Sequence, residues 1–132
     1  MGETVKINDM MVQSGVKFGT SGARGLADDM TDRVCYAYTA AFIQYLQETG
    51  ERKGRGAIAL GGDLRSSTER IMTAAARAIS DKGYAPQCCG RLPAPALAHY
   101  GLMKDIPTVM VTGSHIPEDR NGIKYTKREG EI

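Results

Sequence analysis

Apolar positions along this chain fall into two rhythms that alternate from end to end. Between residues 32 and 48, Val34, Tyr38, Ala41, Phe42, Tyr45 and Leu46 return at the spacing of one helical face. Thr31 stands where an N-cap belongs, and Gly50 follows where such a helix stops. A second helix is predicted over 67–82, with Ser66 and Glu69 spaced as a capping box and Gly83 as its terminator. A third runs over 95–103, with Pro95 near its first turn. Between them lie short apolar runs at 56–61, 84–89 and 108–111, too short for helices and read as buried strands. Pro107 delivers the chain into the last of these. Residues 16–19 form a further short strand, and 122–126 a short return strand. Strands alternating with helices predict a three-layer α/β/α domain with a mixed, mostly parallel sheet of about four strands. Residues 1–132 read as that single domain, with the weakly patterned segment 1–14 peripheral to it.

Composition narrows the class. A hydrophobic fraction of 42% with 24% charged residues is that of a soluble globular protein. The net charge of +2 is small and the basic residues are scattered; with 6% aromatics and no Trp, nucleic acid is not an expected partner. No apolar run approaches 18 residues and no signal-peptide layout opens the chain, so no membrane partner is expected. Three cysteines, two of them adjacent at Cys88 and Cys89, suit reduced thiols and a cytoplasmic location better than a disulfide framework. No His/Cys spacing suggests zinc.

Candidate chemistry gathers after the strands. The run 108–111 stops at Gly113, and Ser114, His115, Pro117 and a charged turn follow, with Lys124 ten residues beyond the serine. In an α/β sheet, residues at the carboxyl ends of strands open into the crevice where ligands bind. A Ser-His pair with a nearby lysine there suits chemistry on a hydroxyl and an anionic substrate; the alternative is a plain polar turn. Three glycines fall between residues 19 and 25, around Thr20, Ser21 and Arg24, and read as a loop that approaches a ligand closely. Asp63 and Arg65 occupy the loop after 56–61. If these strands are parallel, Arg24, Asp63, Arg65, Ser114, His115 and Lys124 line one edge of the sheet as a single polar site.

Thr112-Gly113-Ser114-His115-Ile116-Pro117 followed by Asn121-Gly122-Ile123-Lys124 resembles the active-site serine loop of the α-D-phosphohexomutases, which include phosphomannomutase, phosphoglucomutase and phosphoglucosamine mutase. Phe18 to Gly25 resembles the N-terminal signature of that superfamily, and Gly61-Gly62-Asp63-Leu64-Arg65 its Gly-x-Asp-x-Arg loop. The three motifs stand in the family's order and spacing from about Val16 onward. Ile116 stands where the family loop usually has Asn, and Gly113 where many members have Ala; both read as subfamily variation. Family enzymes have four domains around a cleft, and this chain resembles the first.

The resemblance implies roles. Ser114 would carry a phosphoryl group, give it to a hexose phosphate and recover the other phosphate from a bisphosphorylated intermediate, dividing one hard transfer into two. Lys124 would be the general acid/base beside it, and His115 a hydrogen-bonding neighbour. Arg24 would hold the transferring group through its planar fork. Asp63 and Arg65 would pair and brace the serine loop; Thr20, Ser21 and Asn121 would contribute support or substrate contacts. Mg2+ would be held by the Ser114 phosphate together with aspartates of another domain. The expected partners are the hexose phosphate and the remaining domains. A lone first domain, exposing its former interface, is prone to self-association. Alone, the domain would be inactive. A competing reading is a non-catalytic phosphate-binding or interaction domain on the same fold. A serine hydrolase is disfavoured because Ser114 is not in a Gly-x-Ser-x-Gly elbow.

Overall fold

The computed structural model describes residues 17–19, 22–26, 28–48, 56–63, 66–112, 120–127 and 130–131, with 17–19, 22, 24, 120, 127 and 130–131 described through their backbone. The expected peripheral segment 1–14 lies outside these residues. The elements are β1 (Lys17–Gly19), β2 (Gly22–Leu26), α1 (Asp32–Glu48), β3 (Ala57–Gly62), α2 (Thr68–Asp81), β4 (Ala85–Arg91), α3 (Ala94–Lys104), β5 (Thr108–Val111), β6 (Arg120–Lys127) and β7 (Gly130–Glu131). One sheet runs β1-β2-β6-β5-β3-β4, with β7 paired to β6.

The α/β class and the mixed sheet are as expected, but among the described residues the sheet has seven strands rather than about four. Only β3–β4 and β3–β5 pair in parallel; the pairs from β5 outward to β1 are antiparallel. The expected glycine loop accounts for part of the difference. Gly22 and Gly25 both fall within β2 (Gly22–Leu26), paired with β6 from Ala23↔Ile123 to Leu26↔Arg120. Ladder hydrogen bonds and the complete burial of Ala23 override the weak strand propensity of glycine.

Side-chain alternation builds the layers. Ile58 and Leu60 of β3, Val109 and Val111 of β5, and Ile123 and Tyr125 of β6 face α1 and α2 in the larger core. Tyr125 stacks on Phe42 with ring centroids 4.8 Å apart, and its hydroxyl shares a buried hydrogen bond of 3.1 Å with that of Thr39. The intervening residues Ala59 and Met110 face the other way and pack with Leu97 of α3. β4 is an exposed edge strand and carries Pro86, which cannot offer an N–H for edge pairing.

Helix ends follow local chemistry. Thr31 Oγ1 accepts from the Val34 amide at 3.3 Å and caps α1. α2 departs from the Ser66–Glu69 reading: its cap is Ser67, one residue later, and that side chain makes no cap hydrogen bond. Gly83, at φ +91°, ends α2 with its own N–H on Ser80 O and the Tyr84 N–H on Ile79 O, the Schellman pattern. α3 starts after Pro93 with Pro95 in its first turn, as the sequence suggests.

Candidate functional site

Sheet register fixes what meets at the carboxyl edge of β3 and β5. Ala23, Ile123, Val111 and Gly62 lie in one row. In the next row Arg24 pairs with Gly122, whose carbonyl accepts from the Thr112 amide at 2.9 Å, and the Asp63 amide donates to Val111 O at 3.0 Å. The backbones of Arg24, Asp63 and Thr112 therefore sit together at the edge where β5 ends. The route differs from the expected one. β1 runs antiparallel to β3 and β5, so its own end points away from this edge, and β2 returns Arg24 to it.

Asp63 and Asn121, both expected as support, are joined through a residue the sequence reading did not single out. Thr68, the first residue of α2 and fully buried, donates its hydroxyl to Asp63 Oδ1 at 2.6 Å. Asn121, also fully buried, donates Nδ2 to Thr68 Oγ1 at 3.1 Å and to Ser67 Oγ at 2.9 Å. Its Oδ1 accepts from the Gly122 amide at 2.8 Å. The Asp63 carboxylate is thus held at the N-terminal end of α2, where the helix dipole favours negative charge. Arg91 Nη1 adds a 2.7 Å bond to the Asp63 carbonyl. Gly62 allows the close approach: a Cβ there would lie 2.4 Å from Thr68 Cγ2 and 2.7 Å from Met72 Sδ.

Lys124 occupies the opposite face. It pairs with Met110 and, with Thr126, lines a groove of about 370 Å³ between α3 and the β5–β6 ladder, whose walls include Leu97, Leu102 and Met110. Asn121 and Lys124 differ by three positions, an odd number, which sends their side chains to different sides of the sheet. The Asp63–Thr68–Asn121 cluster and Lys124 therefore lie on either side of one sheet edge. Ser114, His115, Arg65, Thr20 and Ser21 lie outside the described residues, as does the side chain of Arg24. The expected Asp63–Arg65 pair lies outside them with Arg65. The one sequence signal for Thr68 and Ser67 is the run Ser66-Ser67-Thr68 just before an apolar helical pattern. Arg91 leaves no local signal; only the β3–β4 pairing brings it near Asp63.

A sequence profile described as phosphoglucomutase/phosphomannomutase, alpha/beta/alpha domain I, matches residues 15–131. The chain belongs to this family. It is 44% identical over 124 residues to a phosphomannomutase of Salmonella muenchen, covering 94% of this chain and 25% of that protein. It is 33% identical over 116 residues to a phosphoglucosamine mutase of Thermotoga neapolitana, covering 87% and 26%. The chain thus spans about a quarter of the length of these relatives. A crystal structure of a phosphoglucomutase/phosphomannomutase family protein of Burkholderia thailandensis superposes with a TM-score of 0.69 at 23% identity, over 84% of this chain and 26% of that one, a match of fold. This phosphoglucomutase/phosphomannomutase domain has no helix among its described residues long and apolar enough to cross a membrane. Nor, among those residues, do three or more His, Cys, Asp or Glu side chains converge as a metal site.

Proposed function

We propose that this domain carries the phosphoserine of a phosphohexomutase that interconverts hexose 1-phosphates and hexose 6-phosphates. The supporting observation is where the described residues on either side of 113–119 lie: Thr112, just after β5, and Arg120, the first residue of β6, stand at the edge where Asp63 and the backbone of Arg24 also sit. Ser114 is the only serine in that segment.

In this reading a sugar hydroxyl attacks the phosphorus on Ser114. The serine Oγ–P bond breaks, a sugar O–P bond forms, and the hydroxyl proton passes to Lys124 as general base. The bisphosphorylated sugar turns over, and the serine oxygen takes back the other phosphate in the reverse sequence. His115 hydrogen-bonds at the reacting end, and Arg24 holds the transferring phosphoryl oxygens. Asp63, Arg65 and Asn121 brace these residues; Thr20 and Ser21 contribute substrate contacts. Mg2+ is the expected ion, and this chain's share in holding it is the phosphate on Ser114. The remaining domains of a longer protein supply the sugar and phosphate sites, so the isolated chain is inactive. The Leu102 and Met103 side chains, both exposed on α3, favour association of the isolated domain. A cytoplasmic location follows from the substrates and the reduced thiols.

Turnover of hexose 1-phosphate by the intact enzyme and by its Ser114→Ala form tests the reading. Loss of several orders of magnitude is expected, beyond the roughly 10²–10³ typical of removing one stabilising donor. Near-normal turnover in the variant would move the nucleophile elsewhere. An inactive, unphosphorylated but phosphate-binding wild type would favour a binding domain.

A further inference from the structure

The two flanks of the segment bearing Ser114 pair directly with each other, the Thr112 amide on the Gly122 carbonyl, and side-chain hydrogen bonds that meet at one hydroxyl tie them to β3 and α2. At the β5 end, the Val111 carbonyl accepts from the Asp63 amide, fixing the end of β3 against the last residue of β5. At the β6 end, Asn121 directly follows the first residue of the strand and turns its amide onto α2. Thr68 Oγ1 is the atom between these ends: it donates to Asp63 on one side and accepts from Asn121 on the other. A hydroxyl has one proton to give and lone pairs to accept, so the direction of this chain is set by the acceptor-only carboxylate at one end and the amide NH2 at the other. The middle of this relay is fully buried at Thr68 and Asn121, while Asp63 and Ser67 at its ends are half-buried. Water cannot readily replace a missing member, and fully satisfied buried networks are stiff.

We propose that Thr68 is a positioning residue for the phosphoryl-transfer serine, locking the paired β5 and β6 flanks of the 113–119 segment against the end of β3 and the start of α2 through Asp63 and Asn121. The proposal rests on the reading of Ser114 given above. Thr68 touches neither substrate nor the reacting atoms. Its contribution is to keep the flanks from drifting, and phosphoryl transfer is sensitive to drift because it depends on alignment of attacking and leaving oxygens. The methyl group serves packing: Thr68 Cγ2 fills the space beside Gly62. Hydroxyl and methyl are separable by substitution.

The test compares Thr68→Val, which keeps the shape and removes the hydroxyl, with Thr68→Ser, which keeps the hydroxyl, in the intact enzyme. Thr68→Val is expected to lower kcat on the order of 10- to 100-fold with KM changed less than about threefold, the pattern of misalignment rather than lost substrate binding. Thr68→Ser is expected to recover most of kcat. Hydrogen exchange on the same samples should show faster exchange at the Asp63 and Gly122 amides in Thr68→Val only. A folded Thr68→Val enzyme with kcat within about twofold of wild type would overturn the proposal, as would a Thr68→Ser enzyme no better than Thr68→Val. Ser114→Ala is measured alongside. If it stays active the reading of the serine fails; if it is inactive while Thr68→Val is unaffected, only the positioning role fails. Should Thr68→Val not fold in the intact enzyme, Asn121→Asp, which keeps the acceptor for Gly122 but loses both donors, must give the same kcat-selective loss, and a normal kcat there overturns the proposal.

Discussion

Asn121→Ala removes the most heavily bonded polar side chain in the described core, and its cost can be worked from the geometry. The substitution deletes donations of 2.9 Å to Ser67 and 3.1 Å to Thr68 and an acceptance of 2.8 Å from the Gly122 amide. Each of the two donated bonds is worth about 1 kcal/mol net. The hydroxyls left behind are not stranded as donors, because Thr68 still donates to Asp63. The Gly122 amide is worse placed: it sits on a buried residue, and losing its acceptor costs about 1–3 kcal/mol. The total is roughly 3–5 kcal/mol before any relaxation, about a fifth or more of the 5–15 kcal/mol that separates a typical domain from its unfolded state. Urea denaturation of this chain, followed by far-UV circular dichroism, should therefore show a clearly lower midpoint at an unchanged m-value. The thermal midpoint should fall by roughly 10 °C or more. A loss under about 1 kcal/mol would refute the reasoning, because it would mean that water enters and satisfies these groups in the folded protein.

Gly62→Ala should cost about 1–3 kcal/mol by overpacking, since the new methyl would meet Thr68 and Met72 below van der Waals distance; an unchanged urea midpoint would show that α2 yields freely. The Cys35 thiol, pushed by burial from its ordinary 9.0 up to about 12, stays protonated in the folded state while the unfolded chain ionises. Its stabilising effect is therefore complete below about pH 9 and is lost as pH rises from there toward 12, by up to about 1.4 kcal/mol per pH unit. Burial pushes the Tyr125 hydroxyl in the same direction, so the decline steepens above 10. Denaturant midpoints at pH 8 and 10 should show a shallower decline in Cys35→Ala than in wild type, and equal declines would contradict the assignment.

Much of this domain is legible in its sequence because much of it is local. The Thr31 cap and the Gly83 terminator are each written within a few residues and appear where those residues place them; of the α1 stripe Val34, Tyr38, Phe42 and Leu46 are buried, but Tyr45 is exposed and Cys35, Thr39 and Ile43 complete the buried face. β2 is not local. Its Gly-Ala-Arg-Gly run has poor strand propensity and becomes a strand only because β6, about a hundred residues later, offers a ladder. Of the antiparallel half of the sheet, the return strand at 122–126 is legible, while the β2–β6 pairing is not. At the site, motif spacing pointed to Asp63 and Asn121 but not to the hydroxyl that joins them, since Thr68 lies 53 residues from Asn121. Spacing also grouped Lys124 with these residues, whereas strand alternation sends it to the α3 side.

The central claim is that Ser114 is a covalent phosphoryl carrier. The most direct measurement is peptide-resolved mass spectrometry of the intact enzyme, purified without phosphatase and then incubated with hexose 1,6-bisphosphate labelled in its phosphates. The account predicts one labelled phosphate per chain, located on Ser114, that leaves the protein when unlabelled hexose 1-phosphate is added. An active enzyme with no label on Ser114, or with label there that substrate fails to discharge, would contradict it.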